Sequence, residues 1–383
     1  MFSSQEIRNY AATLWWGLTT ARTGTFVPGE VVLIRFDLEA LPLAEAVFDL
    51  CMEQGLVPVT RMNYTPRMDL SFYGKGSETQ ITTVPAGDGQ LYASLAGLIS
   101  LIAPASLTHL AAVDPQRIGK AAVSRKFLRD ILERREQTGE FGWTLCAWPT
   151  AAQAQCAGLS VEDYAEQIRR ACFLDHPDPT AKWREVFDQV HDIKAWLNAL
   201  PVKRLRVQSA HCDLRVALGE SRRWLGVSGH NLPSFEIFTS PDRRGTEGVY
   251  YANQPSYRSG NLVRGAALHF EDGRAVRSEA EQGAAFLAGQ LKMDPGACML
   301  GEFSLTDRRF SRIDAFMANT LFDENFGGTY GNCHVAVGAS YSDTYAGDQS
   351  ELDGAAKERL GFNDSALHWD LVNTEPKTVT AEL

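Results

Sequence analysis

The chain has 383 residues, 44% hydrophobic and 22% charged, with a formal net charge of −10 and a pI near 5.4. This is the balance of a globular protein large enough for two domains, and its acidity argues against nucleic acid or an anionic membrane as partner. Seven scattered cysteines without a C-x-x-C pair weigh against a disulfide framework or a zinc ribbon and point to a reducing, cytoplasmic setting.

The start, "MFSSQEIRNYAATLWWGL", lacks the basic region and clean apolar core of a signal peptide. "VVLIRF" (31–36) reads as a continuous apolar strand of a sheet buried on both faces. "PLAEAVFDLCMEQG" follows as a helix, with Pro42 near its start and Gly55 past its end. "LVPVTRM" returns as a strand, so residues 31–62 form a βαβ unit. "SLAGLISLIAPASL" is too short to span a membrane and carries a proline. The spacing predicts further helices over 124–139 and in "SVEDYAEQIRRACF", where Ser160 and Asp163 make a capping-box pattern. In "DPTAKWREVFDQVHDIKAWLNAL", Trp183, Val186, Phe187, Val190, Ile193, Trp196, Leu197 and Leu200 recur at helical spacing and read as one core face.

After Pro201 the texture changes to short alternating segments, with Asp272-Gly273 a strong hairpin signal. The expected architecture is therefore an N-terminal α/β domain (1–200) followed by a β-rich α+β domain (201–383).

Candidate chemistry concentrates in the second domain. In "ALHWDLV", strand alternation sends Leu367, Trp369 and Leu371 to one face and His368 with Asp370 to the other. An imidazole and a carboxylate converging in this way suit a metal ion, while two exposed polar groups are the plainer alternative. In "YGNCHVAVGASY", Cys333, Val335 and Val337 share the apolar face, and His334 lies beside the small Ala336 and Gly338. Cys333 then faces the core as a small hydrophobe, not as a nucleophile. Glu236 in "NLPSFEIFTSP" and Glu302 in "CMLGEFSL" sit among apolar residues, where a carboxylate needs a cation or donors nearby. A salt bridge to arginine would satisfy each equally well. Glu324 in "TLFDENF" is a further candidate. Three glutamates, two histidines and one aspartate are enough ligands for two divalent ions.

In order, "NLPSFEIFTSP", "GNLVRGAALHFEDGRAV", "LGEFSL", "NTLFDEN", "CHVAVGASY" and "SALHWDLV" resemble the aminopeptidase T/aminopeptidase S family of dinuclear metallo-aminopeptidases. The resemblance implies that the second domain is the metal-binding catalytic one, with Glu236, Glu302, Glu324, His334, His368 and Asp370 as ligands and Glu302 bridging. It implies Tyr341 as the group that stabilises the tetrahedral intermediate, and cobalt, zinc or manganese as the ions. It further implies short peptides as substrates and a homodimer. The activity implied is hydrolysis of the N-terminal peptide bond by a metal-activated water. Phe235 stands where the family usually has a small residue, and "FGGTYGN" lengthens the loop between Glu324 and His334.

Two other readings remain open on the residues. His334, His368 and Asp370 also compose the two-histidine, one-carboxylate set of mononuclear iron(II) enzymes such as dihydroxypyridine ring-cleaving dioxygenases. A non-catalytic, peptidase-like binding protein is the third.

Overall fold

The computed structural model describes residues 1–383. Five parallel strands form the first sheet, in the order Val57–Met62, Val31–Phe36, Leu95–Ile102, Gly142–Ala147 and Asn231–Leu232. Val32, Ile34 and Phe36 pack under the helices Ser4–Ala21 and Leu41–Glu53, while Leu33 on the other face meets Leu132 of the helix Pro115–Gln137. The βαβ unit read from 31–62 is present: Pro42 opens the crossover helix, and Gly55, with φ +74°, lets the chain turn back into Val57. Ser160 accepts from the Asp163 N–H at 3.0 Å and starts the helix Val161–Ala171.

Two helical expectations need correction. The helix expected over 124–139 spans Pro115–Gln137, because Asp114 caps the Gln116 N–H and Pro115 occupies the first turn. Its early turns hold polar residues and small ones such as Gly119 and Ala121, which dilute the apolar stripe. The helix Pro179–Ala199 does not bury the whole face expected of it: Trp183 and Val190 are buried, but Trp196 is 61% exposed. Trp183 stacks between Trp16 and Phe235 and Val190 joins the same core, while Leu197 in the last turn packs on the core of the second half, which leaves Trp196 outside both.

The second half holds two larger antiparallel sheets and a two-stranded one, Ser256–Arg258 with Asn261–Val263. Six strands run in the order Arg274–Glu279, Ala266–Glu271, Thr246–Ala252, Asp213–Ala217, Arg204–Gln208 and Thr378–Glu382. The Asp272-Gly273 turn closes the first hairpin with φ of +47° and +77°, as a two-residue turn matched to strand twist requires. The second sheet has four strands, in the order His368–Asn373, Asn332–Gly338, Leu300–Thr306 and Glu236–Thr239. The Tyr250 hydroxyl joins the two sheets, lying 2.9 Å from the Cys333 carbonyl and 2.6 Å from that of Leu371. The core around the parallel sheet also takes in Leu232, Phe235, Leu321 and Phe322 from beyond residue 200. This packing sets the four-stranded sheet against the parallel one.

A one-residue bulge sits in the strand Leu300–Thr306. Leu300 is opposite Val337, but Glu302, not Gly301, is opposite Ala336. Without the bulge, Glu302 would point into the hydrophobic core. Gly301 is required there because a Cβ would lie 2.1 Å from the Ala339 carbonyl oxygen. Substitution Gly301→Ala should therefore lower stability by about 3 kcal/mol in urea unfolding. A change below about 0.5 kcal/mol would show that the bulge does not depend on glycine.

Candidate metal centre

Cross-strand partners in an antiparallel sheet share a face. Across the four strands Thr306 is opposite Glu236, Ser304 opposite His334, Ala336 opposite both Glu302 and Asp370, and Gly338 opposite His368. One face thus carries Glu236, Glu302, His334, His368 and Asp370, and the small Ala336 and Gly338 leave space between them. The opposite face, with Leu300, Val335, Val337, Leu367, Trp369 and Leu371, is hydrophobic core.

The side chains on the polar face converge. His334 Nε2 lies 3.2 Å from Glu236 Oε2 and 3.2 Å from Glu302 Oε1. His368 Nε2 lies 3.4 Å from Glu302 Oε2 and 3.5 Å from Asp370 Oδ1. Two ligand groups result, Glu236–Glu302–His334 and Glu302–His368–Asp370, with all donor atoms of each within 4.8 Å of one another. Glu302 belongs to both, one oxygen facing each histidine.

Hydrogen bonds hold these candidate ligands in place. Ser304 Oγ donates to Glu236 Oε2 at 2.8 Å. His368 Nδ1 lies 2.8 Å from the Ala339 carbonyl, an acceptor that keeps a proton on Nδ1, so Nε2 is the nitrogen that would lose its proton to take an ion. Glu324 arrives from outside the sheet, at the end of the short helix Thr320–Asp323. Its Oε1 accepts from Asn231 Nδ2 at 2.9 Å and Asn325 Nδ2 at 3.4 Å. Glu324 lies outside both ligand groups but lines the same cavity, of about 230 Å³, as Glu236, Glu302, His368, Asp370 and Tyr341. The Tyr341 ring sits 4.7 Å from that of His368.

The electrostatics of this cluster suit cations. Burial opposes charge on both imidazoles, yet the carboxylates outweigh it: Glu236 and Glu302 hold His334 well above its usual pKa, and Asp370 with Glu302 raises His368 to about 10. Burial pushes Asp370 up, but the His368 charge wins and holds it at about 2. Burial raises Glu236 against its His334 bond, and burial with the Asp370 and Glu236 charges raises Glu324 well above the usual carboxylate range. Glu236, Glu302 and Glu324 are each 5% exposed or less, and the ion-pair contacts of this cluster are all with histidine. The arginine salt bridge that could have satisfied either sequence-selected glutamate is not present. Two imidazoles cannot balance four carboxylates once all four are ionised, whereas divalent ions would, so the donor set fits a metal centre.

All seven residues singled out in the sequence therefore meet at one cavity or behind its wall. Sequence reasoning missed Ser304, Asn231 and Asn325, which position ligands and carry no metal-ligand signature. Strand alternation two residues past Glu302 could have indicated Ser304; no local signal links Asn231 to Glu324. It also missed Trp143 and His230, whose rings stack at 4.3 Å and form the opposite wall.

Comparison with known proteins bears on this geometry. A family model described as thermophilic metalloprotease (M29) matches residues 3–383. Aminopeptidase T of Thermus aquaticus is 33% identical over 280 residues, 68% of this chain and 66% of that protein. Aminopeptidase 2 of Geobacillus stearothermophilus is 28% identical over 366 residues, 90% of this chain and 87% of that one. Among solved structures, wild-type AmpT from Thermus thermophilus shares the fold, with a TM-score of 0.76 at 24% identity over 98% of this chain and 95% of that one. The chain belongs to the M29 metalloprotease family, the family of metallo-aminopeptidases that its ordered segments resemble.

Proposed function

We propose that this protein is a metal-dependent aminopeptidase that removes N-terminal residues from short peptides. The observation that carries the reading is Glu302, which stands in two ligand groups at once. Glu236, Glu302 and His334 would hold one divalent ion, and Glu302, His368 and Asp370 the other. Cobalt, zinc or manganese suits these nitrogen and oxygen donors. Such ions supply Lewis acidity and a bound water acidified to near neutrality.

The protein's own groups have distinct tasks. The Tyr341 phenol stays protonated, because burial and the carboxylates around it raise its pKa well above the usual value. It can then donate a hydrogen bond to the developing oxyanion, a role worth about 10²–10³ in rate in other hydrolases. Glu324 lies outside both ligand groups, and two amides hold its Oε1. Its other oxygen is free to take the proton of the attacking water and pass it to the leaving amine. Trp143, Leu145 and Phe238 give the cavity an apolar wall for the substrate. A homodimer and a cytoplasmic location belong to the same reading; the seven cysteines, all free thiols, suit a reducing compartment. No helix is long and apolar enough to cross a membrane.

The iron(II) dioxygenase reading is weaker. His334 Nε2 is 4.0 Å from Asp370 Oδ1 but 3.2 Å from each of two glutamates that a one-iron site does not need. Family membership favours hydrolysis. Oxygen uptake with a dihydroxypyridine, and none of the peptidase activity, would reverse this choice.

Leucine p-nitroanilide should be hydrolysed, and a chelator should abolish the reaction. Tyr341→Phe should lower kcat by about 10²–10³ with KM little changed; an unaltered kcat would remove the tyrosine from the mechanism. Glu324→Gln should lower kcat while the purified protein keeps its metal. Loss of metal from that variant would make Glu324 a ligand, not the proton carrier. Because His334 and His368 carry protons in the metal-free protein, metal binding should release protons and tighten as pH rises. Calorimetric enthalpies that vary with buffer ionisation heat would show this; buffer-independent enthalpies would contradict it.

A further inference from the structure

The strand Val31–Phe36 is not the continuous apolar run that its composition suggests. Arg35 lies on the face of the parallel sheet that looks toward the helix Pro115–Gln137, where aliphatic side chains are the rule. Its one hydrogen bond is from Nη2 to Ser100 Oγ at 3.1 Å, and no carboxylate pairs with it. A guanidinium has five N–H donors, so most of its capacity is unused.

The sheet register relates this cation to the metal centre. Arg35 is opposite Ser100, Ser100 opposite Leu145, and Leu145 opposite Asn231, whose amide holds Glu324. The row therefore begins beside the metal centre and ends at Arg35, three strand spacings or about 14 Å away. A second cavity of about 290 Å³ runs along it, lined by Arg35, Ser100 and Leu145, and it shares Trp143, Tyr341 and His368 with the metal cavity. Of the carboxylates in this second cavity, Glu133 is taken by Lys357, Glu136 by His230 and Asp364 by Lys126. Asp343 lies at the end shared with the metal centre, away from Arg35 along the row. Arg129 also lines the cavity and donates to the Ser365 carbonyl.

We infer that Arg35 receives the α-carboxylate of the substrate, so that the enzyme prefers free peptides of about four residues. The inference rests on the aminopeptidase reading given above. An extended chain covers about 3.3–3.6 Å per residue, so about four residues span the row from Asn231 to Arg35. At that distance the free C-terminus of a tetrapeptide meets an unpaired guanidinium, whose planar fork matches a carboxylate. A longer peptide or a C-terminal amide would place a neutral amide there.

The test compares Leu-Gly-Gly-Gly with its C-terminal amide, using leucine p-nitroanilide as a reference. The wild-type protein should favour the free acid at least tenfold in kcat/KM, with the difference in KM. Arg35→Met should bring the acid-to-amide ratio close to one, and Arg35→Lys should restore part of it. Equal use of acid and amide by the wild type would overturn the inference while leaving the aminopeptidase reading intact, and needs no variant to be observed. An equal loss on both substrates in Arg35→Met would also overturn it, since a structural role does not distinguish them. If the wild type cleaves none of the three, the aminopeptidase reading fails, and this inference with it.

Discussion

Four carboxylates buried together beside two histidines, with no lysine or arginine in ion-pair contact, are the constraint around which this molecule is arranged. Each buried charge costs several kcal/mol unless compensated, and here the only positive charges in contact with the carboxylates are the imidazoles and, by our reading, divalent ions. Without metal the cluster holds protons: His334 and His368 are pulled upward by the carboxylates they touch. Such a cluster is a poor contributor to stability and a good ion-binding site. Its cost is carried by the sheet beneath it, whose other face is continuous hydrophobic core.

The strand pairings turn that constraint into geometry. All five proposed ligands lie on one sheet face, so their spacing is set by ladders of backbone hydrogen bonds and not by flexible loops. The bulge at Gly301 is the critical irregularity, because it turns Glu302 from the core side to the polar side. The parallel sheet contributes the opposite wall. Its short last strand, Asn231–Leu232, ties the two halves together through Asn231 and Glu324. By our inference an extended peptide lies between this antiparallel face and the parallel sheet, across the strands of the latter.

Much of this was legible in the chain because strand alternation is a local property. "ALHWDLV" places His368 and Asp370 on one face by period alone, and "CHVAVG" does the same for His334. Apolar neighbours marked Glu236 and Glu302 as buried, although only the fold shows that their partners are histidines. Long-range facts were not legible. The bulge depends on pairing between residues 300 and 337, and the support of Glu324 depends on an asparagine far earlier in the chain. Trp196 shows the reverse error: helical spacing puts it on an apolar stripe, but in the fold it is exposed while its neighbour Leu197 packs on the second core. Arg35 was hidden for a related reason, since one charge in an apolar hexamer does not alter a strand assignment yet decides what the neighbouring cavity can bind.

The central claim is that Glu302 is shared between two ions, and elemental analysis of the purified protein after equilibration with zinc or manganese tests it most directly. The account predicts two ions per chain, and loss of both in a folded Glu302→Ala variant. A single tightly held iron per chain, or a Glu302→Ala variant that still binds two ions, would contradict it.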